Sequence, residues 1–176
     1  MEPAKREGSL TTRRYLIALA LAWTTLFYCG PAHATTTEDA IAIACGPGHA
    51  ELAPIIDAAA RRQLEHPVTL VALMAVESHC RADAVSRKGA VGLLQVLPYG
   101  PAANGHTLAE LRDPAVNIAT GARWLGLMTL WAGGLPGGLG CYNTGKRGHG
   151  ARFAKHVLTV ANRICRELAR RHEPRS

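Results

Sequence analysis

The sequence has no internal repeat, no low-complexity tract and no apolar run long enough for a comfortable membrane span. Its apolar stretch from Tyr15 to Phe27 falls short of the roughly 20 residues that a transmembrane helix needs. Basic residues ending at Arg13 and Arg14 precede this stretch, and a Pro-Ala-His-Ala segment ending at Ala34 follows it. This order predicts a secretory signal peptide over residues 1–34 and one mature domain over residues 35–176.

The amino-terminal segment has three alternative interpretations. An uncleaved anchor would keep the apolar stretch attached to the domain. The "TRRYLI" segment partly resembles a twin-arginine signal, and Cys29 follows residues too bulky for a lipoprotein cleavage site. The cleaved signal peptide remains the favoured interpretation, and it predicts a periplasmic protein.

The sequence also lacks the patterns typical of two common classes of site. Its net charge of +7 favours anionic polymers or lipid head groups, but no dense Lys/Arg tract with interleaved aromatics is present. We therefore expect no nucleic-acid partner. No CxxC or HxxxH spacing occurs, so we expect neither a metal site nor another cofactor. The four cysteines after residue 34 instead predict two disulfides, with three possible connectivities.

Apolar periodicity predicts a mostly α domain with at most one small hairpin. One amphipathic helix is expected from His49 to Glu65, and the next segment, beginning at Pro67, is apolar on every side and should be buried. Residues 81–96 lack helical period and predict turns or a hairpin. A long helix is expected from Pro114 to about Trp131, with "AGGLPGGLG" ending it. A short helix at residues 141–142 and a last one over residues 152–168 complete the prediction.

Glu77 stands out because it ends the apolar helix. Leu70, Leu73 and Met74 share its face, so the carboxyl leaves the helix over apolar surface. The helix carboxyl terminus adds its negative partial charge. Desolvation and this dipole both disfavour the anion, so we predict a raised pKa and a carboxylic acid able to donate a proton at neutral pH. A solvated helix-end residue is the ordinary alternative.

Four segments occur in an order that resembles one enzyme family. Glu77-Ser78, "AVSRKGAVGLLQVLP" from Ala84, "DPAVNIATGARWL" from Asp113 and "CYNTG" from Cys141 are similar to the successive motifs of the lytic transglycosylases with a goose-type-lysozyme-like catalytic domain. The resemblance implies a lysozyme-like fold. It also implies cleavage of the β-1,4 bond between N-acetylmuramic acid and N-acetylglucosamine in peptidoglycan, with a 1,6-anhydromuramoyl product. Its small single-domain size resembles members that serve conjugation, secretion or pilus machines, and we expect a monomer.

The resemblance also implies roles for particular residues. Glu77 matches the glutamic acid that acts first as acid and then as base, and this needs no second carboxylate, whereas ordinary glycosidases use a pair. The positions implied to hold the glycan are Ser86, Gln95, Tyr142 and Asn143. Each also has an ordinary structural interpretation, as a turn residue, buried amide, core ring or cap. Trp124 and Trp131 share one helix face, where a core role is favoured over stacking on sugar.

Three positions depart from the family's pattern. Leu94 replaces a methionine, and Cys141 and Thr144 replace alanines. If the motifs converge as in the family, Cys80 and Cys141 meet across the site, so the resemblance favours a Cys80–Cys141 disulfide. Cys45–Cys165 would then tie the two ends together.

Two rival functions stay open at this point. A muramidase would keep the fold and let water intercept the intermediate. An inactive peptidoglycan-binding module would keep the fold and lose the chemistry.

Overall fold

The regular elements of the described chain are helices. The computed structural model describes residues 37–173, and the predicted signal peptide lies outside them. Six α-helices follow in order: α1 (Thr37–Cys45), α2 (Ala53–Gln63), α3 (Pro67–Ser78), α4 (Pro114–Ala132), α5 (Leu135–Thr144) and α6 (Ala151–His172). Short 3₁₀ turns occupy Ala50–Leu52, Pro101–Ala103 and Glu110–Arg112. The mostly α prediction is confirmed. Within residues 37–173, no helix is both long and apolar enough to cross a membrane.

Helix α3 lies at the centre of the helical packing. It contacts α1, α2 and α6, and every residue from Val68 to Met74 is buried. The sequence predicted this burial because apolar residues surround the helix on all sides. Helix α4 packs on α2 and α5, and α5 packs on α6, so α4 and α5 connect α2 to α6 in the packing.

The long helix α4 begins where the Asp113-Pro114 pair predicted it. The Asp113 carboxylate accepts hydrogen bonds from the backbone N–H groups of Ala115 and Val116 at 2.8 and 3.0 Å. Pro114 occupies the first turn, where a missing N–H costs nothing. Gly133, with φ +80, ends the helix in the left-handed region.

Two helices differ from the prediction. Helix α1 was not predicted, since its nine residues bury only Ala40 and Ile41 and leave little periodic signal. Helix α5 begins at Leu135, inside a segment expected to be a loop. Its glycines serve close packing, because a Cβ on Gly138 would lie 2.6 Å from the Thr129 Cα. Its proline sits in the first turn, where the ring is tolerated.

Both predicted disulfides are wrong. Cys45 is bonded to Cys80, with their Cα atoms 5.7 Å apart, because α1 packs on α3 and its last residue lies beside the turn that follows α3. Cys141 is a buried free thiol whose Sγ donates to the Lys146 carbonyl at 3.5 Å. Cys165 is disulfide-bonded, but not to Cys45. Convergence of the motifs therefore does not bring the Cys80 and Cys141 sulfurs together.

Candidate active site

Glu77 lies in the last turn of α3 and is half-buried. Desolvation raises the pKa of its carboxyl from 4.5 to about 7, as the apolar surroundings predicted. Within residues 37–173 the carboxyl makes no hydrogen bond or ion pair that would favour the anion. His79 ends the helix directly beyond it in the left-handed conformation, with φ 53. The carboxyl can therefore carry a proton at neutral pH.

Residues 84–96 form the turn-rich segment that the sequence predicted. Two isolated antiparallel bridges, Val85 to Val91 and Val91 to Val96, hold it together. The Ser86 hydroxyl accepts a hydrogen bond of 3.0 Å from the Ala90 N–H, and its backbone pairs with the same residue. Ser86 therefore closes a turn, which is its ordinary structural interpretation.

Gln95 ends this segment and faces both the loop and a cavity. Its Nε2 donates to the carbonyls of Ala84 and Gly92 at 3.1 and 2.9 Å. The residue adopts a left-handed conformation, with φ 48, which is uncommon for a side chain that is not glycine, asparagine or aspartate. The two hydrogen bonds hold the amide against the loop, and its other face lines the cavity described below.

Asn117 of α4 forms hydrogen bonds that hold residues 84–96 against this helix. Its buried amide accepts from the Leu94 N–H at 2.8 Å and donates to the carbonyls of Val91 and Leu111 at 2.9 and 2.8 Å. Gly92, with φ +77, passes so close that a Cβ there would overlap this side chain. Asn117 and Gly92 therefore have structural roles in holding this segment against α4.

Tyr142 of α5 connects Glu77 to the loop. Its hydroxyl donates a 2.6 Å hydrogen bond to the Leu94 carbonyl. Burial raises the pKa of the phenol well above its ordinary value, and the Glu77 charge raises it further. The carboxyl and the phenol therefore lie within electrostatic range. Gly121 makes room for this arrangement, since a Cβ there would lie 3.1 Å from the phenol oxygen.

An open cavity of about 590 Å³ lies beside Tyr142. Gln95, Tyr142 and Asn143 line it, so the structure brings together three of the residues implied to hold a glycan. Ser86 and Glu77 are not among its lining residues. Glu77 is linked to the cavity through Tyr142, on which its charge acts.

Part of the cavity wall is aromatic. Trp124 and Trp131 both line it, and Trp131 is 45% exposed, so the predicted core role is wrong for Trp131. The stripe of α4 that carries Trp124, Met128 and Trp131 faces the cavity. Tyr99, 80% exposed, also lines it and was missed, because nothing in its loop sequence marks it.

A second carboxyl with a raised pKa was also missed. Burial raises the pKa of Glu65 to about 7, and the Thr129 hydroxyl beside it opposes the shift. That hydroxyl is buried and lacks a hydrogen bond of normal geometry within the described chain. Glu65 precedes α3 and Glu77 ends it, so about 15 Å of helix separates them. The glycosidase pairs stand about 5 to 9.5 Å apart, so Glu65 is too distant to be the partner carboxylate.

The described residues contain no group of three or more His, Cys, Asp or Glu side chains that could hold a metal ion. The protonated Glu77 carboxyl can donate one proton to a polar polymer bound in the cavity and can later recover another. The amide and aromatic side chains that line the cavity can hold such a polymer.

Comparisons with known proteins agree with this geometry. The family model of the transglycosylase SLT domain matches residues 54–157, which span α2 to α6 and every residue of the site. No curated protein sequence matches the chain. The family match indicates a transglycosylase-type enzyme whose substrate is peptidoglycan. The chain belongs to the transglycosylase SLT domain family.

Proposed function

We propose that this protein is a lytic transglycosylase that cleaves the β-1,4 bond between N-acetylmuramic acid and N-acetylglucosamine. Glu77 is its single acid and base, and Gln95, Tyr142 and Asn143 hold the glycan. One observation carries the proposal: the Glu77 carboxyl has a pKa of about 7 and interacts electrostatically with a tyrosine that lines the cavity.

The proposed reaction needs only one carboxyl. Protonated Glu77 gives its proton to the glycosidic oxygen, the bond from that oxygen to C1 breaks, and the N-acetylglucosamine side leaves with a free hydroxyl. The muramoyl acetamido oxygen stabilises the cation at C1. The Glu77 carboxylate then removes the proton of the C6 hydroxyl, and O6 bonds to C1 to close the 1,6-anhydro ring. Glu77 ends the cycle protonated.

Ser86 is a positioning residue in this proposal. Its hydroxyl is engaged by the Ala90 N–H, and it orders the loop that carries Gln95. The Tyr142 hydroxyl is engaged by the Leu94 carbonyl and fixes the same loop beside Glu77. The proposed contact of Gln95 with the glycan is therefore made by a loop whose hydrogen bonds are already formed, which limits the entropy lost on binding.

The test is a digest of purified sacculi followed by mass analysis of the products. Anhydromuramoyl ends support the proposal, whereas reducing ends indicate a muramidase. Binding to sacculi without any cleavage indicates an inactive binding module. Glu77→Gln should abolish cleavage. Glu65→Gln is the matched control, because it changes a carboxyl of similar pKa that does not line the cavity, and it should leave cleavage intact.

We also propose that the enzyme acts in the periplasm and opens the wall locally for a conjugation, secretion or pilus machine. The predicted signal peptide and the prediction of one small mature domain support this. Fractionation of cells that carry the tagged protein tests the location. Replacement of the gene by its Glu77→Gln form tests the role, since loss of conjugation, secretion or piliation is expected.

A further inference from the structure

The positive charge of the described chain is concentrated in its last part. Residues 146–173 carry eight Lys and Arg residues against two acidic residues, whereas residues 37–145 carry seven against nine. The excess therefore belongs to α6 and the loop that precedes it, while the rest of the domain is slightly acidic. This asymmetry is not needed for the chemistry at Glu77.

The cations of α6 lie on one face. We call this face the α6 stripe, and its members are Arg152, Lys155, Arg163, Arg166 and Arg170. At 100° per residue they fall within an arc of about 80°, and they extend along about 27 Å of helix. All five are exposed. The buried residues Ala154, Val157, Ile164 and Leu168 occupy the opposite face.

Most of the stripe is unpaired. Arg170 forms an ion pair with Glu167, whereas Arg152, Lys155, Arg163 and Arg166 form none with any residue in the range 37–173. Four cations in one row repel one another at low salt, and a polyanion lying along the row would relieve that repulsion.

The stripe continues toward the cavity. Gly145 lines the cavity and ends α5, and the loop from there to Gly150 carries the exposed residues Lys146 and Arg147 before α6 begins. A polymer that occupies the cavity can therefore meet positive charge as soon as it leaves.

The chemistry of the face favours a linear polyanion over a lipid surface. Amphipathic helices bind membranes by inserting large apolar residues. In α6 the apolar face is buried against α3 and α5, and none of the exposed large apolar residues of the described chain belongs to this helix. A row of cations with no exposed large apolar residue beside it can bind a linear polymer that carries carboxylates along its length.

We propose that the α6 stripe is an auxiliary wall-binding face that takes the free carboxylates of peptidoglycan peptide stems. It retains the enzyme on the sacculus while the cavity engages a glycan strand. The choice of peptidoglycan as the polyanion rests on the proposed function. The stripe itself is independent of Glu77, so the two proposals can fail separately.

The test compares retention on sacculi of the wild type and of an Arg152→Gln, Arg163→Gln, Arg166→Gln triple variant. At low salt the triple variant should be retained about tenfold less, since three exposed ion pairs with the polymer are lost and each contributes modestly. Its cleavage of a short muropeptide fragment, which does not reach along α6, should match that of the wild type. A triple variant at Arg61, Arg62 and Arg112, exposed cations outside the stripe, loses the same charge and should be retained normally.

Two further measurements use the wild type directly. Sacculi whose carboxylates are converted to neutral amides should retain it about tenfold less, and should no longer distinguish it from the stripe variant. The proposal is overturned if the wild type and the stripe variant are retained equally on untreated sacculi. It is also overturned if the control variant loses as much retention as the stripe variant. A stripe variant that loses only its binding to phosphatidylglycerol vesicles overturns it as well, because that result assigns the stripe to a membrane. Binding through the stripe without any cleavage would overturn the proposed function and leave this inference standing.

Discussion

The Tyr142 hydroxyl donates a 2.6 Å hydrogen bond to the carbonyl of Leu94, across 48 residues of sequence. This bond joins α5 to the loop that presents Gln95. The Leu94 N–H is held in turn by the Asn117 side chain, so both polar backbone groups of one residue are fixed by different helices. The loop is thereby positioned relative to Glu77.

Tyr142→Phe tests the importance of this connection. The variant leaves the ring in place and removes the donor to Leu94, so we expect a loss of about 1 kcal/mol in the free energy of unfolding. Turnover should fall further, by about tenfold or more, because small displacements of positioned groups cost rate heavily. Urea unfolding and sacculus digestion measure the two effects. Unchanged turnover with reduced stability would make the bond purely structural.

The pH dependence of cleavage should report Glu77. The acid must be protonated to start the reaction, and its pKa of about 7 lies above the ordinary value because of desolvation. The rate under first-order conditions should therefore fall on the alkaline side, with a midpoint near pH 7 and a tenfold loss per unit beyond it. A midpoint near 4.5 would contradict the desolvated environment. The Glu65→Gln control should keep the same profile.

Glu65 predicts an unusual pH dependence of stability. Its pKa is about 7 in the folded state and near 4.5 in the unfolded state, so only the folded state holds the proton between these values. The contribution of the Glu65 proton to the free energy of unfolding is fully present below about pH 4.5 and is lost as the pH rises to 7. Glu65→Gln should be more stable than the wild type at pH 8, on the order of 1 to 3 kcal/mol, and similar at pH 4.

Urea unfolding at the two pH values measures this difference. Exposed Glu51, whose side chain carries the same group without burial, supplies the control variant Glu51→Gln. An equal gain from both substitutions would assign the effect to net charge and not to the buried position.

Much of the fold could be predicted because the decisive signals are local. The apolar residues all around α3 and the Asp113-Pro114 start of α4 are each readable from a few neighbouring residues. Helix α5 was misplaced for the opposite reason. Its glycines usually end helices, and only the contact with Thr129 of α4 shows that they serve close packing.

The site was predicted in part, and the errors share a cause. Local apolar neighbours sufficed to predict the raised pKa of Glu77. The exposure of Trp131 and the disulfide partner of Cys80 depend on which helices pack together. The spacing of residues in the sequence does not specify this packing. Tyr99 was missed because an exposed aromatic in a loop has no pattern to distinguish it.

Trp131→Ala should weaken glycan binding with little effect on folding. The ring is 45% exposed and lines the cavity, so its truncation removes contact area for a sugar more than core packing. We expect KM to rise several-fold while turnover at saturation changes less. Leu130→Ala is the control, since Leu130 is 81% exposed on the same helix and does not line the cavity. A large loss of stability in Trp131→Ala would restore the core role.

The Cys45–Cys80 bond should contribute strongly to stability. It closes a segment with a sequence separation of 35, which corresponds to about 4 kcal/mol in the chain-entropy model. Replacing both residues by alanine should lower the free energy of unfolding by that order, and it should loosen α1 from the end of α3, where Glu77 lies. Cleavage activity should fall at temperatures well below the wild-type unfolding midpoint. Peptide mapping under non-reducing conditions should recover Cys45 joined to Cys80 and Cys141 as a thiol, and a Cys80–Cys141 peptide would contradict this connectivity.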